Sequence, residues 1–292
     1  MPQARRPGSV EIELSKRAVV PANTMGVARL RFYEELNDFL APARRKREFD
    51  YAFARAATVK NAIEAVGVPH TEVELILVEG RSVDFSYRLR DGDRVSVYPM
   101  FEAFDVAPLV RVRERPLRDT RFVADAHLGG LARLLRMAGF DTLHDNAYAD
   151  DAIRRIAAAE SRVILTRDRA LLMCRDVTHG CYVRALKPPA QFAEVVERLQ
   201  LAARMAPFTR CLHCNLPLAE VGRDAVRQRV PETVERSYAL FRTCEGCRRI
   251  YWEGSHWLRM RELLERVARQ ANATQGAPGL SGARRTGSRR FA

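Results

Sequence analysis

Four of the six cysteines stand in two pairs, each pair with two residues between its members. The pairs are separated by 29 residues, a spacing typical of two knuckles whose thiolates close one tetrahedral zinc site. Four protein ligands leave no open position on the metal, so such a zinc ion is structural and not catalytic. A redox dithiol needs only one such pair, so the presence of two pairs favours zinc binding. The predicted zinc ligands are Cys211, Cys214, Cys244 and Cys247.

Aspartates form a second group with chemical potential. Asp125 ends a predicted strand, Asp168 follows another strand two residues after Thr166, and Asp150 and Asp151 open a predicted helix. Ligand sites of open parallel sheets lie beyond the carboxyl ends of the strands. Like charges gathered there need a compensating cation, and magnesium or manganese prefers oxygen ligands. We therefore predict that a divalent cation binds among these acids. The alternative for Asp150 and Asp168 is an ordinary helix N-cap.

Basic residues surround these acids. The first 105 residues carry 16 basic and 16 acidic side chains, so the formal charge of +13 lies entirely in the remainder. This distribution predicts attraction of a polyanion such as nucleic acid, although a basic surface that only aids solubility is an alternative. Arginines near the acids are expected to hold a phosphodiester while metal-activated water attacks it. The arginines predicted in this role are Arg133, Arg136, Arg167 and Arg169.

Hydrophobic periodicity indicates the elements that position these residues. Strands and helices alternate over residues 121–205, which predicts an α/β domain with a parallel sheet. The order before it, two strands, one helix and further strands, predicts an α+β domain of the β-grasp type. The predicted organisation is a flexible extension (1–24), a β-grasp domain (25–105), a linker (106–120), the α/β domain (121–205), a small zinc ribbon (206–270) and a disordered basic tail (271–292).

The β-grasp region resembles the ubiquitin-like sulfur carriers of the ThiS and MoaD type. The segments that carry this resemblance are TVKNAIEAVGV, LILVEG and LRDGDRVSVYP. Those carriers end in an exposed Gly-Gly, whereas PMFEAFD follows Tyr98 here. Sulfur transfer through this end is therefore disfavoured as an alternative. The expected role is docking to an unidentified protein partner, or stabilisation of the neighbouring domain.

The α/β region resembles the PIN-like RNase family named after the C-terminal domain of the Mut-seven exonuclease. The segments are FVADAHLGGLARLLRMAGFDT, YADDAIRRIA and RVILTRDRALL, followed by the cysteine region. Bacterial members are similar in carrying an N-terminal ubiquitin-like domain. The resemblance implies that Asp125, the Asp150-Asp151 pair and Asp168 bind metal. On that basis we predict Asp125, Asp150 and Asp168 as the ligands, with Asp151 assisting. The sequence departs from the family in its thinner acidic stretch around that pair and in the lack of a compelling fourth acid, for which Asp176 is nearest.

Together these features predict a metal-dependent ribonuclease, a hydrolase of RNA phosphodiester bonds, with structural zinc and catalytic magnesium or manganese. The expected substrate is RNA, with tRNA and ribosome-associated RNA as candidates. The alternative is a non-catalytic RNA- or ribosome-binding adaptor with a degenerate acid cluster, which the thinned acids favour. No apolar run reaches the roughly 18 residues that a membrane span needs, and the cysteine usage indicates a reducing compartment, so we expect a cytoplasmic protein without a membrane partner.

Overall fold

The structure is a computed structural model that describes residues 25–54, 56–99 and 120–276. The predicted extension at 1–24, the predicted end of the β-grasp domain after residue 99, the linker at 106–119 and the tail beyond residue 276 lie outside the described residues. Among the described helices, none combines the length and the apolar character needed to cross a membrane.

The N-terminal domain is a five-stranded sheet with one α-helix. Its sheet order is β2-β1-β5-β3-β4, and the central strand β5 runs parallel to its neighbour β1. This confirms the predicted β-grasp fold. The elements are β1 (Met25–Phe32), β2 (Phe49–Ala54), α1 (Val59–Ala65), β3 (Leu75–Val78), β4 (Arg81–Val83) and β5 (Arg94–Tyr98), with 3-10 turns at Glu34–Phe39, Pro42–Arg44 and His70–Glu72.

Local sequence explains the main features of this domain. Exposed and buried residues alternate along the whole of β1, so every second side chain enters the core. Thr58 caps α1 through a reciprocal capping box with Asn61. Gly67 follows the helix with a φ of +97°, a backbone conformation that glycine adopts without strain.

The second unit is built on a parallel four-stranded sheet of order β7-β6-β8-β9. All residues of β6 and β8 are buried, as expected for strands covered by helices on both faces. The elements are β6 (Phe122–Ala124), α2 (Gly129–Met137), β7 (Thr142–Leu143), α3 (Asp150–Glu160), β8 (Val163–Thr166), α4 (Arg169–Leu172), β9 (Gly180–Tyr182) and α5 (Pro188–Arg198), with 3-10 turns at Ala126–Leu128 and Ala202–Arg204.

The cysteine region forms a three-stranded antiparallel sheet of order β10-β11-β12, followed by a long helix. That helix returns to the parallel-sheet unit, because Leu264, Val267 and Ala271 belong to the same buried cluster as Phe122 and Phe192. The elements are β10 (Leu218–Gly222), α6 (Glu232–Ser237), β11 (Leu240–Cys244), β12 (Ile250–Tyr251) and α7 (Ser255–Gly276), with a 3-10 turn at Arg223–Val226.

The start of the predicted tail needs correction. Residues 271–276 continue α7, and Ala271 is buried in the shared core. The helix persists past residue 270 because its apolar face still has a partner there.

The β-grasp domain covers the outer edge of the parallel sheet at β9. The Tyr182 backbone N–H donates to Glu72 Oε1 at 2.6 Å, and the His70 ring bonds to the Val177 carbonyl at 2.8 Å. Arg198 binds the second oxygen of the buried Glu72 carboxylate. A free strand edge presents unpaired backbone groups that invite aggregation, and this contact covers it.

Candidate functional site

The sheet reverses its direction of growth between β6 and β8. The chain passes from β6 outward to β7, then crosses back to β8 on the opposite side. In sheets of this order the crevice beyond the carboxyl ends of those two strands is where ligands bind. Asp125 follows β6 directly and Thr166 ends β8, so both residues stand at this crevice.

One buried hydroxyl joins two of the predicted acids. Thr166 Oγ1 donates to Asp125 Oδ2 at 2.7 Å and accepts from the Asp168 backbone N–H at 2.9 Å. Thr166 is fully buried, Asp125 is half-buried and Asp168 is exposed. The hydroxyl therefore fixes the Asp125 carboxylate and the start of the Asp168 turn relative to each other.

Asp168 also caps α4, as the alternative reading of this residue expected. Its Oδ1 accepts from the Ala170 backbone N–H at 2.7 Å. A carboxylate has two oxygens, each with two acceptor positions. Capping through Oδ1 therefore leaves Oδ2 available for another ligand.

Asp150 and Asp151 begin α3, which starts after the carboxyl end of β7, and both are exposed. The N-cap of α3 is Ala149, so Asp150 occupies the first helical position and the N-cap alternative for it is wrong. Asp151 pairs with Arg155 at 3.1 Å. Among the described residues, only the four cysteines form a group of three or more potential metal ligands within 4.8 Å of one another. The aspartates thus share one end of the sheet without forming a closed cluster.

Asp176, the nearest candidate for a fourth acid, is engaged elsewhere. Both of its carboxylate oxygens accept from Arg154 Nη1 at 2.9 Å.

The four predicted phosphate-binding arginines fall into two groups. Arg133, Arg167 and Arg169 are exposed. Arg136 is only 6% exposed, and its guanidinium donates to the carbonyls of Thr142 at 2.8 Å and His213 at 2.7 Å. Burial lowers the pKa of Arg136 from its ordinary value. This side chain ties α2 to the first cysteine knuckle, so the expectation that it contacts RNA is corrected.

Arg169 also has a structural role. Its guanidinium lies 5.0 Å from the ring centre of Phe39 and 5.5 Å from that of Tyr182. These rings belong to the β-grasp domain and to β9, so Arg169 packs at the contact between the two units while its side chain stays exposed. Its contact with RNA stays a prediction. The sequence around Arg169 does not indicate the contact with Phe39, because Phe39 lies in a distant part of the chain.

Two residues at the crevice were not predicted from sequence. Thr166 could have been identified as a site residue from the sequence, because it carries a hydroxyl two positions before Asp168. His144 follows β7, and its Nε2–H donates to the Ala126 carbonyl at 3.0 Å. A Cβ at Gly129 would lie 2.8 Å from the His144 ring, so only glycine allows this approach. His144 therefore supports the loop that carries Asp125.

The four cysteines of the two pairs converge. Their sulfur atoms lie within 4.8 Å of one another, with Cys211 and Cys247 at 3.5 Å and Cys214 and Cys244 at 3.2 Å. Zinc–sulfur bonds of roughly 2.3 Å place the sulfurs of a tetrahedron roughly 3.8 Å apart, so the spacing fits a zinc ion. All four are free thiols.

The protein already favours one thiolate in this cluster. Burial acts to raise the pKa of Cys211, but hydrogen bonds from the Cys214 backbone, the Tyr251 hydroxyl and the His213 backbone lower it to about 6. Burial raises the pKa of Cys214 to about 12. Metal binding at such a site would release protons, because thiolates are the ligands.

The fold and these sites define a multidomain α/β protein with an acidic crevice, a four-cysteine cluster and a β-grasp domain on its sheet edge. A family model described as the Mut7-C RNAse domain matches residues 120–264, and one described as Mut7-C ubiquitin matches residues 25–105. The chain therefore belongs to the Mut7-C RNase family, with the ubiquitin-like domain preceding the RNase domain. No curated protein matches the chain, and no solved structure does.

The matched RNase region includes most of the cysteine-bearing segment. This agrees with the core that α7 shares with the parallel sheet. Family membership indicates a nuclease or RNase function and, through the ubiquitin-like domain, interaction with protein.

Proposed function

We propose that the protein is a metal-dependent ribonuclease whose active site is the crevice between the carboxyl ends of β6 and β8. The observation that carries this proposal is the Thr166 hydroxyl, which bonds to both Asp125 and the Asp168 turn. The Thr166 hydroxyl is buried at the end of the sheet where ligands bind. Its hydrogen bonds orient the two acidic positions relative to each other.

The residues present suit a hard divalent cation. Asp125 and Asp168 supply carboxylate oxygens on either side of Thr166, and magnesium and manganese prefer oxygen ligands. Asp150 and Asp151 add negative charge at the same end of the sheet. When bound, the cation would activate water and stabilise the leaving oxygen of a phosphodiester. Thr166 and His144 orient the carboxylate and its loop, and Arg133 and Arg167 hold the RNA backbone by charge without reading sequence.

We further propose that Cys211, Cys214, Cys244 and Cys247 bind one structural zinc ion, which would make the three-stranded sheet a zinc ribbon. Arg136 supports this site through the knuckle carbonyl of His213, so the metal would also stabilise α2. Thiolate ligands persist in a reducing compartment, which fits a cytoplasmic location.

The ribonuclease proposal is tested by the Asp125→Asn variant. Cleavage of labelled RNA is measured with magnesium and with manganese, and RNA affinity is measured in parallel. We expect divalent-dependent cleavage to disappear while folding and RNA affinity stay close to the parent. Asp145→Asn is the matched control, because Asp145 is an exposed residue whose carboxylate bonds to the Ala147 backbone N–H. Cleavage retained by Asp125→Asn would refute the proposed site.

The second candidate is a non-catalytic RNA-binding adaptor. It is favoured by the lack of three mutually close carboxylates among the described residues and by the Asp151–Arg155 pair. The same assay separates the two functions. RNA binding without cleavage by the wild-type protein at every metal concentration would support the adaptor.

A further inference from the structure

Both tryptophans of the chain line one cavity, which lies outside the acidic crevice. The cavity has a volume of about 230 Å³ and is formed by β12, the start of α7 and the segment around the first cysteine pair. Its lining includes Arg210, Tyr251, Trp252, His256, Trp257 and Met260. His256 is exposed, so the cavity reaches the protein surface.

The aromatic walls are held in place by their neighbours. A Cβ at Gly254 would lie 2.9 Å from Trp252 Nε1, so a glycine is needed for the ring to rest against this backbone. Trp257 packs on Phe208 with ring centres 4.9 Å apart, and the Arg261 guanidinium lies 4.9 Å from its ring centre. Tyr251 is fixed through its hydroxyl, 3.2 Å from the Cys211 sulfur. The rings therefore form a preorganised apolar surface.

The cavity carries a basic side chain. Arg210 lines it, and none of its lining residues in the described part of the chain is acidic, although Glu253 is exposed next to Trp252 in the sequence. Arg248 and Arg249 directly precede β12 and are exposed, as is Arg259 in α7. Exposed arginines beside aromatic rings are the combination with which proteins bind single-stranded nucleic acid, through phosphate contacts and base stacking.

The volume of the cavity limits the size of the ligand that it can bind. Pockets that enclose drug-sized ligands measure roughly 300–1,000 Å³, so this smaller cavity suits a single planar ring system. We propose that it binds one unpaired nucleobase of an RNA strand, with Trp252 as a stacking surface and the neighbouring arginines on the flanking phosphates. The inference rests on the proposed function in taking RNA as the ligand, but it requires no cleavage.

Tryptophan fluorescence tests this inference directly, because both tryptophans belong to the cavity. The Asp125→Asn variant, chosen to prevent cleavage, is titrated with a ten-nucleotide adenylate RNA and with an abasic oligomer of the same backbone and charge. We expect the RNA to change the fluorescence and the abasic oligomer to leave it nearly unchanged. Equal responses, or no response to the RNA, would overturn the inference. This comparison requires no substitution in the cavity.

Substitution of the stacking residue gives a second measurement. Trp252→Leu is expected to weaken RNA binding roughly five- to 150-fold, because stacking on one aromatic ring contributes roughly 1–3 kcal/mol. Trp252→Phe should restore most of the affinity. Leu240→Ala is the control, since Leu240 is an exposed apolar residue outside the cavity. Unchanged affinity in a folded Trp252→Leu variant would refute the stacking role.

The ribonuclease proposal and the base-binding proposal can each be refuted without refuting the other. Wild-type protein that never cleaves RNA but shows the base-dependent fluorescence change would remove the ribonuclease and retain the base site. Wild-type protein that cleaves RNA while its tryptophans do not respond would remove the base site and leave the ribonuclease standing.

Discussion

Glu72 is the residue whose removal should most weaken the contact between the ubiquitin-like and RNase domains. Its side chain is 1% exposed and binds Arg198. It also accepts the Tyr182 backbone N–H at 2.6 Å and lies 3.8 Å from Arg184. Glu72→Ala would therefore leave a buried guanidinium and a strand-edge N–H without their main acceptor.

The expected magnitude follows from these contacts. Breaking a buried ion pair by removing one partner costs about 3–5 kcal/mol. Arg198 keeps a hydrogen bond to the Tyr182 carbonyl at 2.8 Å and longer contacts with Glu194 at 3.7 Å and Glu35 at 3.9 Å. We therefore expect the lower end, about 3 kcal/mol, which corresponds to a roughly 150-fold larger opening equilibrium.

Hydrogen exchange measured by mass spectrometry tests this prediction. Peptides that span residues 177–184 and 70–76 should exchange roughly 150 times faster in Glu72→Ala, because local opening exposes them. Glu48→Ala is the matched control. Glu48 forms partly exposed pairs with Arg29 at 3.6 Å and Arg94 at 3.5 Å, and such pairs contribute about 0–1 kcal/mol. Equal exchange in the two variants would refute the assignment of Glu72 as the residue that holds the domains together.

Three further predictions concern the sites. Thr166→Val should reduce RNA cleavage by roughly 10- to 150-fold, because a hydrogen bond to a charged group contributes about 1.5–3 kcal/mol. Thr178→Val is the control, because Thr178 is exposed. Equal cleavage rates in the two variants would contradict the role of Thr166. Cys244→Ser should lose the one zinc per chain that elemental analysis is expected to find in the parent, whereas Cys174→Ser should keep it; zinc-free parent protein would contradict the site. Burial acts to raise the pKa of Asp141, but its bonds to Arg162 and Asn215 hold it below the ordinary value of 3.8. The stability that this carboxylate contributes is therefore present above about pH 4 and is lost as the pH falls through the folded-state pKa. In urea unfolding, Asp141→Asn should lose less unfolding free energy than the parent as the pH falls below about 4. An unchanged dependence of the unfolding free energy on pH would count against the prediction.

Periodic segments were predictable because their information is local. The sequence predicts a helix that begins at Asp150 and a strand that ends at Thr166, and both are observed. Capping and burial periodicity depend on residues a few positions apart, which a single sequence displays. The alternation of these segments likewise predicted the parallel sheet and the β-grasp order.

Side-chain roles were less predictable. Arg136 and Arg133 lie three residues apart on one helix, yet Arg136 is buried against the cysteine knuckle and Arg133 is exposed. Arg167 and Arg169 are both exposed, yet only Arg169 lies against Phe39. Residue type and neighbourhood do not distinguish the members of these pairs, since the partners that do so come from distant parts of the chain.

By itself, the sequence determined the two CxxC pairs, the aspartates at strand and helix ends, the order of elements and the family. These depend on residue type and short-range spacing. Only the tertiary structure decided that Thr166 joins Asp125 to the Asp168 turn, that Glu72 seals the edge of β9, and that α7 shares the core of the parallel sheet. The physical reason is that hydrogen bonds and burial depend on distance in space, and folding brings these groups together across 41 residues of chain for Thr166 and Asp125 and 110 for Tyr182 and Glu72.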